Sequence, residues 1–109
     1  MATTYSILGQ ATPAGSNSDL YTVPSATQAV VSTVAACNTT ASAVTATVYV
    51  RKAGATAATS NALIYLQTVP AYSTSTWTLG ITLGATDVVT VASGTSGAVT
   101  FQAFGSTIA

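Results

Sequence analysis

The 109-residue sequence predicts one all-β domain over residues 1–109, an antiparallel β-sandwich of about eight strands in a jelly-roll or immunoglobulin-like arrangement. Three observations support this fold. Apolar and polar residues alternate along several segments, which places the apolar side chains on one face of a strand. Turn-forming residues separate these segments at regular intervals. The 22 threonines supply a β-branched side chain that suits a pleated sheet.

The clearest alternation lies in residues 77–91. Every second residue from Trp77 to Leu83 is apolar, which predicts that these four side chains point to one face and that Trp77 is the largest core side chain. Residues 84–87 have a turn sequence, and the valine-rich residues 88–91 follow as a returning strand. The pattern therefore predicts a β-hairpin at the centre of the sandwich.

The other strands are predicted from the same signals in chain order: 5–10, 19–23, 27–38, 43–51, 62–69 and 97–105. Gly9 marks a bulge or a close approach of another backbone in the first strand. Pro24 and Pro70 end the second and fifth strands, because proline cannot donate to a ladder. The strand 27–38 is rich in valine and alanine, which suits burial on both faces. Residues 53–60 are alanine-rich but lack large apolar residues at helical spacing, which predicts an exposed loop.

Charge is scarce: charged residues make up 4% of the chain, and the formal net charge is zero. No net field attracts nucleic acid or an anionic membrane, so neither is expected as a partner. The sequence contains no run of about 18 apolar residues, so no membrane helix is expected. The N-terminus has no signal-peptide pattern. Edge strands are usually guarded by charged residues or proline. With so few of these, the edges and faces are expected to be covered by partners.

The sequence lacks the residue types on which most catalysis depends. It has no His and no Glu, and Asp19 and Asp87 are its two carboxylates. Each lies beside a turn, where aspartate commonly accepts backbone N–H groups. The single cysteine, Cys37, has no histidine to activate it. We therefore predict no catalytic residue, no cofactor-binding residue and no metal ligand. Residues 38–40 (NTT) form a glycosylation sequon, which is interpreted as a chance match.

Three residues at the end of the strand 43–51 are candidates for an interface. Tyr49 shares the polar face of that strand with two threonines and Arg51, which makes it a candidate interface anchor. Arg51 and Lys52 form the one basic pair of the sequence. The pair is interpreted either as a solvated strand end or as an ion-pairing site for a neighbouring subunit.

Several short motifs together resemble small all-β virion proteins of tailed bacteriophages, including phages of cyanobacteria. The matching segments are LGQ at 8–10, DLYTVP at 19–24, VVST at 30–33, the asparagine after Cys37, TLGITL at 78–83, TDVVTV at 86–91 and FGS at 104–106. The resemblance spans nearly the whole chain, and its motifs are structural ones. It implies a component of the virus particle, in the first place a capsid decoration (cement) protein.

The resemblance and the composition lead to one expected function and one alternative. The expected function is a non-enzymatic protein that binds the major capsid protein on the capsid exterior, in particles assembled in the host cytoplasm. Self-association is also expected, with a homotrimer as a natural closed form at capsid three-fold positions. The alternative is a tail-associated or carbohydrate-binding adhesin module.

Overall fold

The computed structural model describes residues 3–14 and 16–109, which form two packed four-stranded antiparallel sheets. The strands are β1 (Thr3–Ala11), β2 (Ser18–Thr22), β3 (Gln28–Asn38), β4 (Val44–Arg51), β5 (Ala62–Val69), β6 (Thr74–Leu83), β7 (Val88–Ser93) and β8 (Val99–Ile108). The long sheet has the order β1-β8-β3-β6, and the short sheet has the order β2-β7-β4-β5. The predicted sandwich of eight strands is confirmed.

The strand pairing identifies the sandwich as a jelly roll. β1 pairs with β8, β2 with β7, β3 with β6 and β4 with β5, as in one long hairpin. This hairpin is rolled up so that β3 also pairs with β8, and β4 with β7. Eight strands paired in this way form a jelly roll. Of the two arrangements that the sequence left open, the structure is therefore the jelly roll and not the immunoglobulin-like one.

The predicted central hairpin is wrong. β6 lies at the edge of the long sheet beside β3, whereas β7 lies inside the short sheet between β2 and β4. The turn at residues 84–87 therefore carries the chain from one sheet to the other. A turn sequence specifies a reversal of direction, but it does not specify whether the two flanking strands bond to each other.

The core centres on Phe101, which is the largest fully buried side chain. Trp77 is only partly buried and packs against the core from the side, so its predicted rank as the largest core residue is wrong. Leu79 is also not on the buried face, because a bulge at Leu79 and Gly80 interrupts β6 and Gly80 adopts φ 61°. Ile81 and Leu83 are buried as predicted.

The predicted close approach at Gly9 is confirmed. The register of β1 against β8 shifts between Ile7 and Gly9, which makes Leu8 an extra residue in β1. A Cβ atom on Gly9 would collide with the backbone carbonyl of Leu20. Glycine at this position therefore allows β1 of the long sheet to approach β2 of the short sheet.

The loop over residues 52–61 lies against the outer face of the short sheet. It contains two 3-10 turns, Lys52–Gly54 and Thr59–Asn61, and its side chains are mostly exposed, as predicted for residues 53–60. Val88 lies on the outer face of β7 and is nevertheless buried, because the first of these turns packs against that strand. Among the described residues, no helix is both long and apolar enough to cross a membrane.

Candidate interaction surfaces

All four charged side chains gather at one corner of the short sheet. Asp19 lies on β2, Arg51 ends β4, Lys52 begins the 52–61 loop, and Asp87 precedes β7. These are the only Lys, Arg, Asp and Glu residues of the sequence. The outer face of the long sheet consequently carries no charged side chain.

Arg51 holds the 52–61 loop to the sheet. Its Nη1 donates to Asp19 Oδ1 and to Thr90 Oγ1, both at 3.0 Å. Its Nε donates to the carbonyl of Ala55 at 2.6 Å, and its Nη2 donates to the carbonyl of Gly54 at 3.1 Å. Thr90, itself buried, donates to the same Asp19 oxygen at 3.0 Å. Arg51 therefore forms an ion pair with Asp19 of its own chain, and an ion pair of the basic pair with a neighbouring subunit stays a prediction.

Asp87 fastens the other side of this loop. Its Oδ1 accepts the Ala53 N–H at 2.9 Å, and its Oδ2 accepts the Gly84 N–H at 2.9 Å. These two backbone donors, the Ala53 N–H first, hold the pKa of Asp87 below its ordinary value, with a smaller contribution from the charge of Lys52 and a small opposing effect of burial. Asp87 therefore joins the turn between the two sheets to the start of the 52–61 loop.

The three predicted interface residues lie close together, but their environments differ. The Arg51 side chain is 20% exposed and hydrogen-bonded within the chain, whereas Lys52 is exposed. Tyr49 is half-buried on the outer face of β4, paired with Thr90 on β7 and Ala62 on β5. Beyond Tyr49, the edge strand β5 exposes a short apolar row that sequence reasoning did not single out: Leu63, Tyr65 and Leu66.

A larger apolar surface lies on the outer face of the long sheet, and the sequence reasoning missed it. Directly paired residues point to the same side of a sheet, and the row Tyr5, Ser106, Val30 and Thr82 crosses all four strands on the outer side. Its neighbours in the adjacent rows add further apolar side chains. We call the set the long-sheet patch: Tyr5, Ile7, Val30, Phe104 and Ile108.

Two features distinguish the long-sheet patch. Tyr5 is 82% exposed and projects from the edge strand β1, whose first residues are exposed on both sides because the short strand β2 does not cover them. At the other side of the same face lies a shallow, mainly apolar groove of about 320 Å³. The groove is lined by Gln28, Val30, Thr82, Gly84 and Ile108.

Asn38, the asparagine of the glycosylation sequon, has a structural role. The side chain is fully buried, and its amide donates to the carbonyls of Ser42, Val69 and Pro70 at 2.8–3.2 Å. Its Oδ1 accepts both the N–H and the hydroxyl of Thr40, at 2.9 and 2.7 Å. The asparagine-x-threonine spacing therefore serves a turn that the buried Asn38 side chain stabilises. This burial agrees with the interpretation of the sequon as a chance match.

A polar cleft of about 370 Å³ lies beside the charged corner. Its lining includes Asn17, Asp19, Arg51, Thr56 and Thr90, and no aromatic side chain is part of the described lining. The ionic groups of this cleft are already bonded to each other and to the loop.

No family model, curated protein or solved structure matches this chain. The alternation in 77–83 drew attention to β6, but the long-sheet patch combines residues from β1, β3 and β8, which are distant in sequence. Only the pairing of these strands brings the five side chains together, so no local pattern could have revealed the patch.

Proposed function

We propose that this chain is a non-enzymatic virion structural protein, a capsid decoration (cement) protein that binds the outer capsid surface and stabilises contacts between major capsid subunits. One observation carries the proposal. All charged side chains lie at one corner of the short sheet, and the opposite, long sheet presents an uncharged outer face with an exposed apolar patch. A surface of this kind binds other proteins through shape and apolar contact.

The hydrogen bonds of the charged side chains favour a binding role over a catalytic one. Asp19 and Arg51 bond to each other, and both bond to the buried Thr90. Asp87 accepts two backbone N–H groups. Asp19 and Arg51 line the polar cleft, but they bond to each other and to the loop there, which favours a role in holding loops over a role as a nucleophile and a base.

A repetitive capsid lattice compensates for weak single contacts. Each decoration protein binds through a modest surface, and multivalent attachment raises the overall affinity without new contacts. Jelly rolls are common in capsid proteins and also in lectins, so the fold itself is compatible with the proposal without selecting it. The resemblance of the sequence to phage virion proteins favours the capsid over other lattices.

A carbohydrate-binding or tail-associated adhesin is the second candidate, and the polar cleft beside Arg51 is the observation that favours it. Sugars are commonly bound by polar groups together with an aromatic side chain on which the ring stacks. The described lining of this cleft has the polar groups but no aromatic side chain. Binding to a glycan array that is abolished by Asn17→Ala and Thr56→Ala would favour this candidate.

The copy number of the chain in purified phage particles tests the main proposal. A decoration protein that follows the capsid lattice is present in on the order of hundreds of copies, because each attachment point repeats with the lattice. Quantitative gel densitometry against the major capsid protein measures this ratio. A ratio that corresponds to about a dozen copies or fewer would reject capsid decoration and favour the tail.

A further inference from the structure

We infer that two copies of this chain pair through the outer faces of their long sheets, with Tyr5 of each copy placed in the groove of the other. The inference rests on the proposed function in that it identifies the surface for self-association, and because the proposed capsid contact uses the same face, the dimer is the form of the chain that is not attached to a capsid. It concerns the isolated chain, so it holds or fails independently of any capsid.

A second copy is the occupant that the charge distribution favours. A face without charged side chains meets its own copy without like-charge repulsion and without the cost of stripping water from ions. The long-sheet patch gains from the contact because Tyr5 and Ile7, now in water, become buried. A partner with a strongly charged surface would find no counter-charge on this face.

The row geometry places Tyr5 over the groove. A two-fold axis that runs parallel to the strands, midway between β8 and β3, brings β1 of one copy over β6 of the other. Rotation about this axis keeps each row in place. Tyr5 and Thr82 end the same row, so Tyr5 of one copy meets Thr82, which lines the groove of the other. The contact occurs twice, as an isologous interface requires.

The available area is sufficient for a modest interface. Four strands about 4.8 Å apart and about ten residues long present a face of ~600 Å² per copy. A specific interface buries ~800 Å² per partner, with weaker ones somewhat below this value. The long-sheet patch consists of five side chains, so the pair also needs contacts from the threonines and glutamines on the rest of the face. We expect a reversible dimer that depends on concentration.

Face packing is also favoured over edge pairing. β1 and β6 are the two edges of the long sheet, and each carries a bulge, at Leu8 and at residues 79–80. Bulges twist an edge away from a regular partner strand. Packing through the outer face does not require a regular edge strand, although the central pair β3 and β8 also has a register shift at Ser32.

The test measures the mass of the purified chain by sedimentation velocity over a range of concentrations. The native chain should form a dimer at the upper end of the range. Tyr5→Lys, which places a charge in the groove of the partner, should weaken the dimer at least tenfold. Tyr72→Lys is the matched control, because Tyr72 is 74% exposed in the turn between β5 and β6, away from this face. It should leave the dimer unchanged.

A rescue variant tests the register. In Tyr5→Lys combined with Thr82→Glu, each lysine meets a glutamate across the interface, and the dimer should return to within about threefold of the native affinity. Thr82→Glu alone should weaken the dimer, because it places a charge opposite Tyr5, and adding Tyr72→Lys should not restore it.

Four results would overturn the inference: a native chain that stays monomeric, a native trimer, equal effects of Tyr5→Lys and Tyr72→Lys, or loss without rescue. The second of these would support the homotrimer expected from the sequence.

Discussion

Asn38→Ala should destabilise the protein more than its small change in volume suggests. The side chain is fully buried at the end of β3, where it joins the turn after β3 to the end of β5. Truncation removes the amide that donates to three carbonyls and the oxygen that accepts two bonds from Thr40. The fold itself should persist, because the core side chains remain in place.

The size of the loss in stability depends on whether each carbonyl that loses the Asn38 amide is buried or can bind water. The carbonyl of Val69 is buried and loses its amide partner, which costs about 1–3 kcal/mol. The carbonyls of Ser42 and Pro70 are partly exposed and can bind water instead, so together they add about 1 kcal/mol. We expect a loss of about 2–4 kcal/mol in the free energy of unfolding, a large part of the 5–15 kcal/mol typical of a domain.

Chemical denaturation measures this difference directly, and thermal melting should show a Tm decrease of roughly 4 °C per kcal/mol. Thr40→Val tests the accepting half of the network and should cost about 0.5–1.5 kcal/mol. Asn17→Ala is the control, because Asn17 is exposed in the loop before β2. If Asn38→Ala and Asn17→Ala lower stability equally, the buried network does not hold the two turns together.

Three further predictions concern close approaches, pH and the 52–61 loop. Gly9→Ala and Gly105→Ala each force a Cβ against a backbone carbonyl and should cost at least about 2 kcal/mol in urea titrations. In Gly84→Ala the added Cβ makes only an ordinary contact of 3.7 Å with Asp87 Oδ2, so its stability should stay within about 0.5 kcal/mol of native. Because two N–H groups lower the pKa of Asp87 in the folded state, its stabilising effect is complete above the ordinary value of 3.8 and is lost as the pH falls through the folded-state pKa. The Tm of the native chain should therefore fall at acid pH more than that of Asp87→Asn, and equal acid slopes would contradict this origin. Arg51→Lys cannot reproduce the planar set of donors and should speed amide hydrogen exchange in residues 53–55. Lys52→Ala is the control and should leave this exchange unchanged. Equal exchange rates in the two variants would show that Arg51 does not hold the loop.

The local order of strands could be predicted from the sequence, because alternation depends on neighbours along the chain. In β4, Val44, Ala46 and Val48 are buried as the alternation indicated. The sheet to which a strand belongs could not be predicted in this way. The turn before Val88 is compatible with a hairpin and with a crossing between sheets, and the choice depends on the other strands that pair with β6 and β7.

The interface candidates show the same limit. Arg51 was correctly noticed as a rare cation, but its partner Asp19 lies 32 residues away and becomes a neighbour only through β7. The bulge in β6 was not predicted either, since Leu79 fits the apolar alternation and is nevertheless exposed. The long-sheet patch required the register of three strands before it could be recognised.

The edges of the sandwich show how a chain with four charged residues can limit its own association. The sequence suggested that uncharged edges need covering by partners, but each of the four edge strands β1, β2, β5 and β6 has an irregular register against its neighbour. On β5 the irregularity includes Leu66, which adopts φ 50° and donates its N–H to the Thr47 hydroxyl. Bulges therefore protect the edge strands from pairing with another chain, as charged residues do in other proteins. Edges that resist strand addition favour the proposed association through a face, and an isologous face contact closes after two copies instead of growing into a fibre.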